Sequence, residues 1–358
     1  MSVTTRPQLS LPRSDASRLT DHNYLVTLLQ KILNRLEPGF ETLADLGVTF
    51  YKRRYVNDDH YQYVIGCLAK YRTNHGLQTL DCIIGAAADN SKRMAYDNLQ
   101  YLWDHGFASG PWRVTEPLCY IEGIEAIVYR ATPGTTLFQH ISHRPSRSEL
   151  EPAFSLAATW LRKLHTTDCP EFKLNNAEDL EHLLTLFQKS VDHYQQHSPA
   201  QGDKLRQVIR QFSSLHEILG NEPLRMIYGD FHPENIILPD LSTTELVMID
   251  FTDLGLGNPY RDVGTFIQQF DFMSQMYLSR PDINELKKFF ISQYCQAPFE
   301  QIATDSIRQI NYYQALAATR SSAWLFPGLS RTASLGLLND AKLLQEKVRS
   351  GQQSINLR

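Results

Sequence analysis

The sequence predicts an α+β protein with a small, strand-rich N-terminal part and a larger, mostly helical C-terminal part. Three observations predict it. Residues 48–70 alternate as two strands around the turn Asn57-Asp58-Asp59. From Thr135 onward, apolar residues recur mainly with helical spacing. One strand–turn–strand signal, at 236–249, interrupts those helices.

Taken in order, the first twenty residues are rich in Ser, Thr, Arg and Pro and read as a loose tail. Tyr24, Leu25, Leu28, Leu29, Ile32, Leu33 and Leu36 mark the buried stripe of a helix that Pro38-Gly39 stops. The two strands of 48–70 follow, then an apolar strand at 80–87 running into a helix near Ser91. Residues 118–131 supply one or two more strands. The helical part is expected at about 147–166, 177–197, 201–219, 261–279, 283–295, 300–325 and 334–349. The organisation is therefore 1–40, tail and leading helix; 41–125, a small lobe; and 126–358, a helical lobe.

Composition narrows the function. A net charge of −4 argues against non-specific nucleic-acid binding, which depends on a basic surface. Five scattered cysteines without Cys-x-x-Cys spacing indicate a reducing compartment and no zinc ribbon or disulfide framework. There is no secretory apolar core, and no apolar run nears the roughly 20 residues of a membrane helix, so a cytoplasmic protein is expected.

The most informative stretch is Tyr228-Gly229-Asp230-Phe231-His232-Pro233-Glu234-Asn235, followed by two apolar runs and Asp250. Ile236, Ile237 and Leu238 form the first run, 239–244 carries turn chemistry, and 246–249 forms the second. A hairpin of this kind brings Asn235 and Asp250 to its open end, where an amide and a carboxylate can share Mg²⁺, an ion that takes a few protein oxygens along with waters and phosphates. Asp230 lies in the loop feeding that hairpin. One carboxylate to orient a hydroxyl and an amide–carboxylate pair to hold a metal is the equipment of phosphoryl transfer. Singly, each residue has a plainer use as a turn former or cap; their combination points to the chemistry.

This segment resembles the aminoglycoside phosphotransferase and choline-kinase-like branch of the protein-kinase-like fold, whose loop reads His-Gly-Asp-x-x-x-x-Asn and then Ile-Asp-Phe or Ile-Asp-Trp. Tyr228 stands here for the usual His. The resemblance implies a two-lobed fold, ATP and Mg²⁺ as cofactors, and a small-molecule hydroxyl acceptor of the sugar, amino-sugar or amino-alcohol class. It implies Asp230 as the catalytic-loop acid, Asn235 and Asp250 as metal ligands, and His232 as a loop-bracing histidine. Pro259 and Asp262 match the helix start after the metal loop, so Asp262 is a second bracing candidate beside its plainer use as a first-turn acid. Leu164-His165 resembles the family's Leu-His helix end, and 130–137 its crossover between lobes.

The small lobe departs from the pattern. A strand Lys and a helix Glu are expected to meet the phosphates. Ala86 or Ala87 stands where the Lys should, and the following helix has Asp97 but no Glu. Lys70 is the candidate phosphate contact from a neighbouring strand, with a solvated strand edge as its plainer use, and Lys52, Arg53 and Arg54 could approach from the first strand. The missing pair leaves a second reading open, a binding module that keeps the fold without catalysis. Rival chemistry is weaker. His193 and His197 are four apart on a helix but lack a companion Glu and third ligand, and no Gly-x-Ser-x-Gly elbow exists. Tyr312, Tyr313, Trp324 and Phe326 suit either an acceptor pocket or helix packing.

Overall fold

The computed structural model describes residues 8–169, 175–176, 180–219, 222–326 and 331–356, with the side chains at 175, 176, 180–184, 186 and 189 left aside. The chain divides into two compact units. One comprises Met1–Pro133 together with Val247–Thr252, and the other Gly134–Leu246 with Asp253–Arg358.

The first unit is built on a sheet of six strands in the order β1-β6-β7-β4-β3-β2. These are β1 (Gln8–Ser10), β2 (Phe40–Asn57), β3 (His60–Thr73), β4 (Gly76–Ala87), β6 (Pro117–Glu122) and β7 (Ala126–Arg130), with a short β5 (Trp112–Val114) outside that sheet. β2, β3 and β4 run as an antiparallel meander. In β3 every second residue from Tyr61 to Tyr71 is buried, the period-2 signature of a strand with one face in a core. Helix α1 (His22–Leu36) closes that core with Tyr24, Leu25, Leu28, Leu29, Ile32 and Leu33, the stripe its spacing predicts. Asp21 caps it, accepting from Asn23 N at 2.8 Å. Helix α2 (Ser91–Leu102) follows β4.

Two expectations change here. Residues 8–20, read as a tail, contain β1, paired parallel with β6, and a 3₁₀ helix at Arg13–Thr20. Leu9, Ala16 and Leu19 are buried, and each large side chain so buried contributes about 1.5–3 kcal/mol, enough to fix a polar segment. β2 also begins at Phe40 rather than at 48. It is an edge strand with mostly exposed residues, so its first half carries no apolar alternation.

The second unit runs β8 (Thr135–Thr136), α3 (Leu137–Ser142), α4 (Arg147–Thr166), β9 (Asn175–Asn176), α5 (Leu180–His197), α6 (Pro199–His216), β10 (Arg225–Ile227), β11 (Ile236–Leu238), β12 (Leu246–Met248), β13 (Gly255–Gly257), α7 (Tyr260–Ser274), α8 (Arg280–Cys295), α9 (Thr304–Leu325) and α10 (Arg331–Ser350). β12 is shared out between the two units, with Leu246 here. Each predicted helix appears, although the expected start of α5 at 177 lies outside the described residues. β8 pairs with β11, and β13 lies between β10 and β9.

Aromatic packing fixes the loop that follows β10. Trp160 of α4 stacks on Phe231 at 5.9 Å and meets Tyr228 edge-on at 5.9 Å. Phe231 in turn touches Phe266 of α7 at 5.3 Å, and Phe266 stacks on Phe290 of α8 at 4.2 Å. Tyr228 and Phe231 are fully buried, so the loop carrying Asp230 hangs from two side chains that cannot move without opening the core.

Candidate active site

Helix α4 begins at a capping box, where Ser146 N donates to Glu149 Oε2 at 2.7 Å, and places His165 in its last turn. Helix α7 carries Asp262 in its first turn, where a carboxylate also complements the helix dipole. The two side chains meet, with His165 Nε2 at 3.0 Å from Asp262 Oδ2. His165 Nδ1 lies 2.7 Å from the Tyr294 hydroxyl, which fixes the ring from the other side. Asp262 has no exposed surface, and its carboxylate also accepts Tyr228 N at 2.6 Å and Gly229 N at 2.8 Å. Two backbone donors of the Asp230 loop therefore end on one buried carboxylate. Gly229 has φ +86°, and a Cβ there would stand 2.2 Å from Asp253 O, so both conformation and space demand glycine.

Asp230 follows directly. His232 Nε2 lies 3.3 Å from its Oδ2, and Arg320 Nη1, from α9, lies 3.9 Å from Oδ1. Burial pushes the Asp230 carboxyl upward, but the hydrogen bond and charge of His232, with the charges of Arg320 and Arg261, outweigh it and hold the group below the usual aspartate range. Arg320 also donates to Asp253 Oδ2 at 3.0 Å. Asn235 closes the short 3₁₀ turn Pro233–Asn235, its Nδ2 donating to Asp230 O at 3.1 Å. With its nitrogen so engaged, the planar amide turns Oδ1 away from the loop backbone. Asp230, His232, Asn235 and Asp262 thus form one connected group.

Asp250 belongs to the strand-rich unit. Its backbone is left-handed, with φ +61°, uncommon for a residue with a side chain. The turn is held by Thr252, whose hydroxyl donates to Asp250 Oδ1 at 2.6 Å and whose N donates to the same oxygen at 3.3 Å. Asn98 Nδ2 of α2 donates to Phe251 O at 3.1 Å. Burial, then the charge of Asp250, pushes the Tyr129 phenol of β7 far above its ordinary value. Lys70 of β3 is half exposed and sits 3.6 Å from Asp45, its cross-strand neighbour on β2. Ala86 lies in the α1 core, and Asp97 pairs with Arg93 of its own helix at 3.1 Å.

Beside Asp230 is a cavity of about 330 Å³, lined among others by Asp230, Glu234, Arg261, Tyr313, Arg320 and Trp324. Of the four aromatic residues noted in the sequence, Tyr312, Tyr313 and Phe326 pack in the helical core, and Tyr313 together with Trp324 lines this cavity. Trp324 is 71% exposed, so its indole forms part of an open wall. The rings of His193 and His197 lie 4.3 Å apart at a tilt, with His197 Nδ1 on His193 O, and among the described residues no group of three His, Cys, Asp or Glu side chains gathers to hold a metal.

Sequence reasoning missed Arg320, Arg261 and the His165–Asp262 pairing. Only the Leu-His helix end pointed at His165, and nothing in the spacing pointed at Arg320, ninety residues beyond Asp230.

Comparison with known proteins agrees with this architecture. No curated protein matches the chain. Solved structures similar to it include an ethanolamine kinase from Plasmodium vivax (TM-score 0.59, 13% identity, 97% of this chain and 100% of the other). An amicoumacin kinase solved with AMP-PNP and Ca²⁺ aligns with TM-score 0.58 and 14% identity, over 93% and 96% of the two chains. A type VIII aminoglycoside-3'-phosphotransferase aligns with TM-score 0.51 and 17% identity, over 83% and 99%. These likenesses establish the protein-kinase-like fold, a strand-rich N-terminal region followed by a helical C-terminal one. The model of the phosphotransferase enzyme family matches residues 84–297, more than half of the sequence, and the chain belongs to that family.

Proposed function

We propose that the protein is an ATP- and Mg²⁺-dependent phosphotransferase that acts on a hydroxyl of a small molecule of the sugar, amino-sugar or amino-alcohol class. The observation that carries the reading is the ionised Asp230 on the wall of a cavity of about 330 Å³, in a loop tied to Asp262.

Asp230 accepts a hydrogen bond from the acceptor hydroxyl and aims its oxygen at the γ-phosphorus. As the new O–P bond forms, the bond to the β–γ bridging oxygen breaks and ADP leaves. The hydroxyl proton passes to Asp230 late, so the carboxylate needs no raised pKa; a depressed one keeps it ready across the neutral range. His232 holds the carboxylate's orientation, and Asp262 holds the loop.

Asn235 and Asp250 are the proposed Mg²⁺ ligands. Each donor by itself suits a hard cation: an amide oxygen whose nitrogen is engaged with its loop, and an exposed carboxylate whose Thr252 bonds use one oxygen only. When bound, the metal offsets charge on the phosphate oxygens.

The cavity's charges bear on the acceptor. Asp230 and Glu234 face Arg261 and Arg320, so the lining is close to neutral. That favours a neutral polyol or a compound with one amine over a polycation, which would need a surplus of acids. The aromatic walls of Tyr313 and Trp324 suit the apolar face of a sugar ring. The test is phosphate transfer from Mg²⁺–ATP to a panel of sugars, amino sugars and amino alcohols. Transfer that disappears in Asp230→Ala supports the reading. Nucleotide binding without transfer to any hydroxyl would leave a binding module instead.

A further inference from the structure

The strand that should carry a phosphate-contacting lysine carries none. Within 80–87, Leu80, Cys82, Ile84 and Ala86 are buried in the α1 core. The alternate residues, Asp81, Ile83, Gly85 and Ala87, offer the opposite face, and β7 sets Tyr129 opposite Ile83 and Ile127 opposite Gly85. Within 80–87 that face presents no cation. A nucleotide's triphosphate nevertheless needs positive charge beyond a metal.

We infer that Lys92, in the first turn of α2, is the residue that meets the nucleotide phosphates. The inference rests on the phosphotransfer reading above. Lys92 Nζ lies 3.5 Å from Thr252 Oγ1, and that hydroxyl donates to Asp250 Oδ1 at 2.6 Å. One hydroxyl therefore separates the ammonium from the proposed metal ligand. Were Asp250 to hold a metal, the ammonium would be placed to meet phosphate oxygens on it.

Three further observations favour the assignment. First, the ammonium is underused. Among the described residues it meets a neutral hydroxyl at the outer limit of hydrogen bonding and no carboxylate, although it is partly buried and carries three donors. The nearby charges are engaged elsewhere: Asp89 accepts from Ser91 N at 3.0 Å, and Arg93 pairs with Asp97. Secondly, a cation in the first turn of a helix opposes the helix dipole. An anion at this place relieves both the dipole and the unpaired ammonium. Thirdly, Asn98, further along α2, grips Phe251 O at 3.1 Å. The helix is thus fastened to the 250–252 loop twice, which keeps Lys92 in step with Asp250. A compact charge on a flexible stem suits a phosphate met as a point charge, so the strand position is not required. Lys70, held by Asp45 across the β2–β3 pair, has no such link to Asp250.

The test uses the full chain and measures dissociation constants for Mg²⁺–ATP and for adenosine in the parent, Lys92→Met, Lys92→Arg and Lys70→Ala. Met keeps the length of the stem and removes only the charge. The expected result is Mg²⁺–ATP binding weakened by about 10- to 100-fold in Lys92→Met, the size of one charge-assisted contact. Adenosine binding and the melting temperature without nucleotide should not move, and Lys92→Arg should recover part of the loss. Parent-like Mg²⁺–ATP binding in Lys92→Met would overturn the inference, as would a loss in Lys70→Ala alone. A parent protein that binds no Mg²⁺–ATP sinks the phosphotransfer reading itself, a result distinct from both.

Discussion

His165 and Asp262 lie 97 residues apart in the chain and meet at 3.0 Å, both buried. The contact joins the end of α4 to the start of α7, and the same carboxylate holds Tyr228 N and Gly229 N. Replacing Asp262 by Ala orphans these donors in a fully buried site, at a cost of about 3 kcal/mol or more. A Tm lower by on the order of 10 °C is expected. Asp262→Asn keeps one acceptor oxygen, so it should lose less stability and still lower kcat, because Asp230 is no longer held. Calorimetry and steady-state kinetics on the two variants check this; an Asn variant with parental kcat would reduce Asp262 to a helix cap.

Asp230→Ala should lower kcat by roughly 10²- to 10⁴-fold while nucleotide affinity persists. The loop conformation depends on Gly229, Tyr228 and Phe231 rather than on this side chain, so the variant should fold. Near-parental turnover would remove Asp230 from the chemistry.

The depressed pKa of Asp230 gives a signed pH prediction. Its ionised form supports folding above the unfolded-state value of about 3.9, and that support is lost as pH falls through the lower folded-state value. The acid limb of kcat/KM contributed by Asp230 therefore lies below about pH 4. Arg320→Gln removes one of the charges holding it there and should move the limb upward. An unmoved limb would assign the depression to His232 and Arg261.

Asp250→Ala should abolish Mg²⁺-dependent nucleotide binding, read as the loss of the thermal shift that Mg²⁺–ATP gives the parent. A parental shift would show that Asp250 is not the ligand.

A separate stability test concerns Asp271. Its carboxylate meets Lys287 Nζ at 2.9 Å and Arg280 Nη1 at 2.6 Å, and Lys287 is fully buried. Burial favours the neutral acid, yet the two cations outweigh it and hold Asp271 below its ordinary pKa. Asp271→Asn leaves the lysine unpaired in the core and should cost about 3–5 kcal/mol by denaturant unfolding.

Where information was local, the sequence carried it. The stripe of α1, the turn at 57–59 and the apolar runs at 236–238 and 246–248 each lie within a short window, and each appears in the structure as a helix, a turn or a strand. What escaped reading was set by distance or by economy. Arg320 reaches Asp230 only because α9 packs beside α7, and Lys92 reaches Thr252 across 160 residues of chain. The 8–20 segment is anchored by Leu9, Ala16 and Leu19 amid polar residues, too few apolar positions to show a period. Tyr228 sits in an aromatic socket made by Trp160 and Phe231, which no local spacing announces.

Lys287 has one more partner, Ile355 O at 3.2 Å, and Ile355 is itself almost wholly buried. The ammonium of α8 is thus closed off by a carbonyl 68 positions downstream. Shortening the chain before residue 355 would remove that carbonyl and uncover a charge in the core, giving protease a foothold.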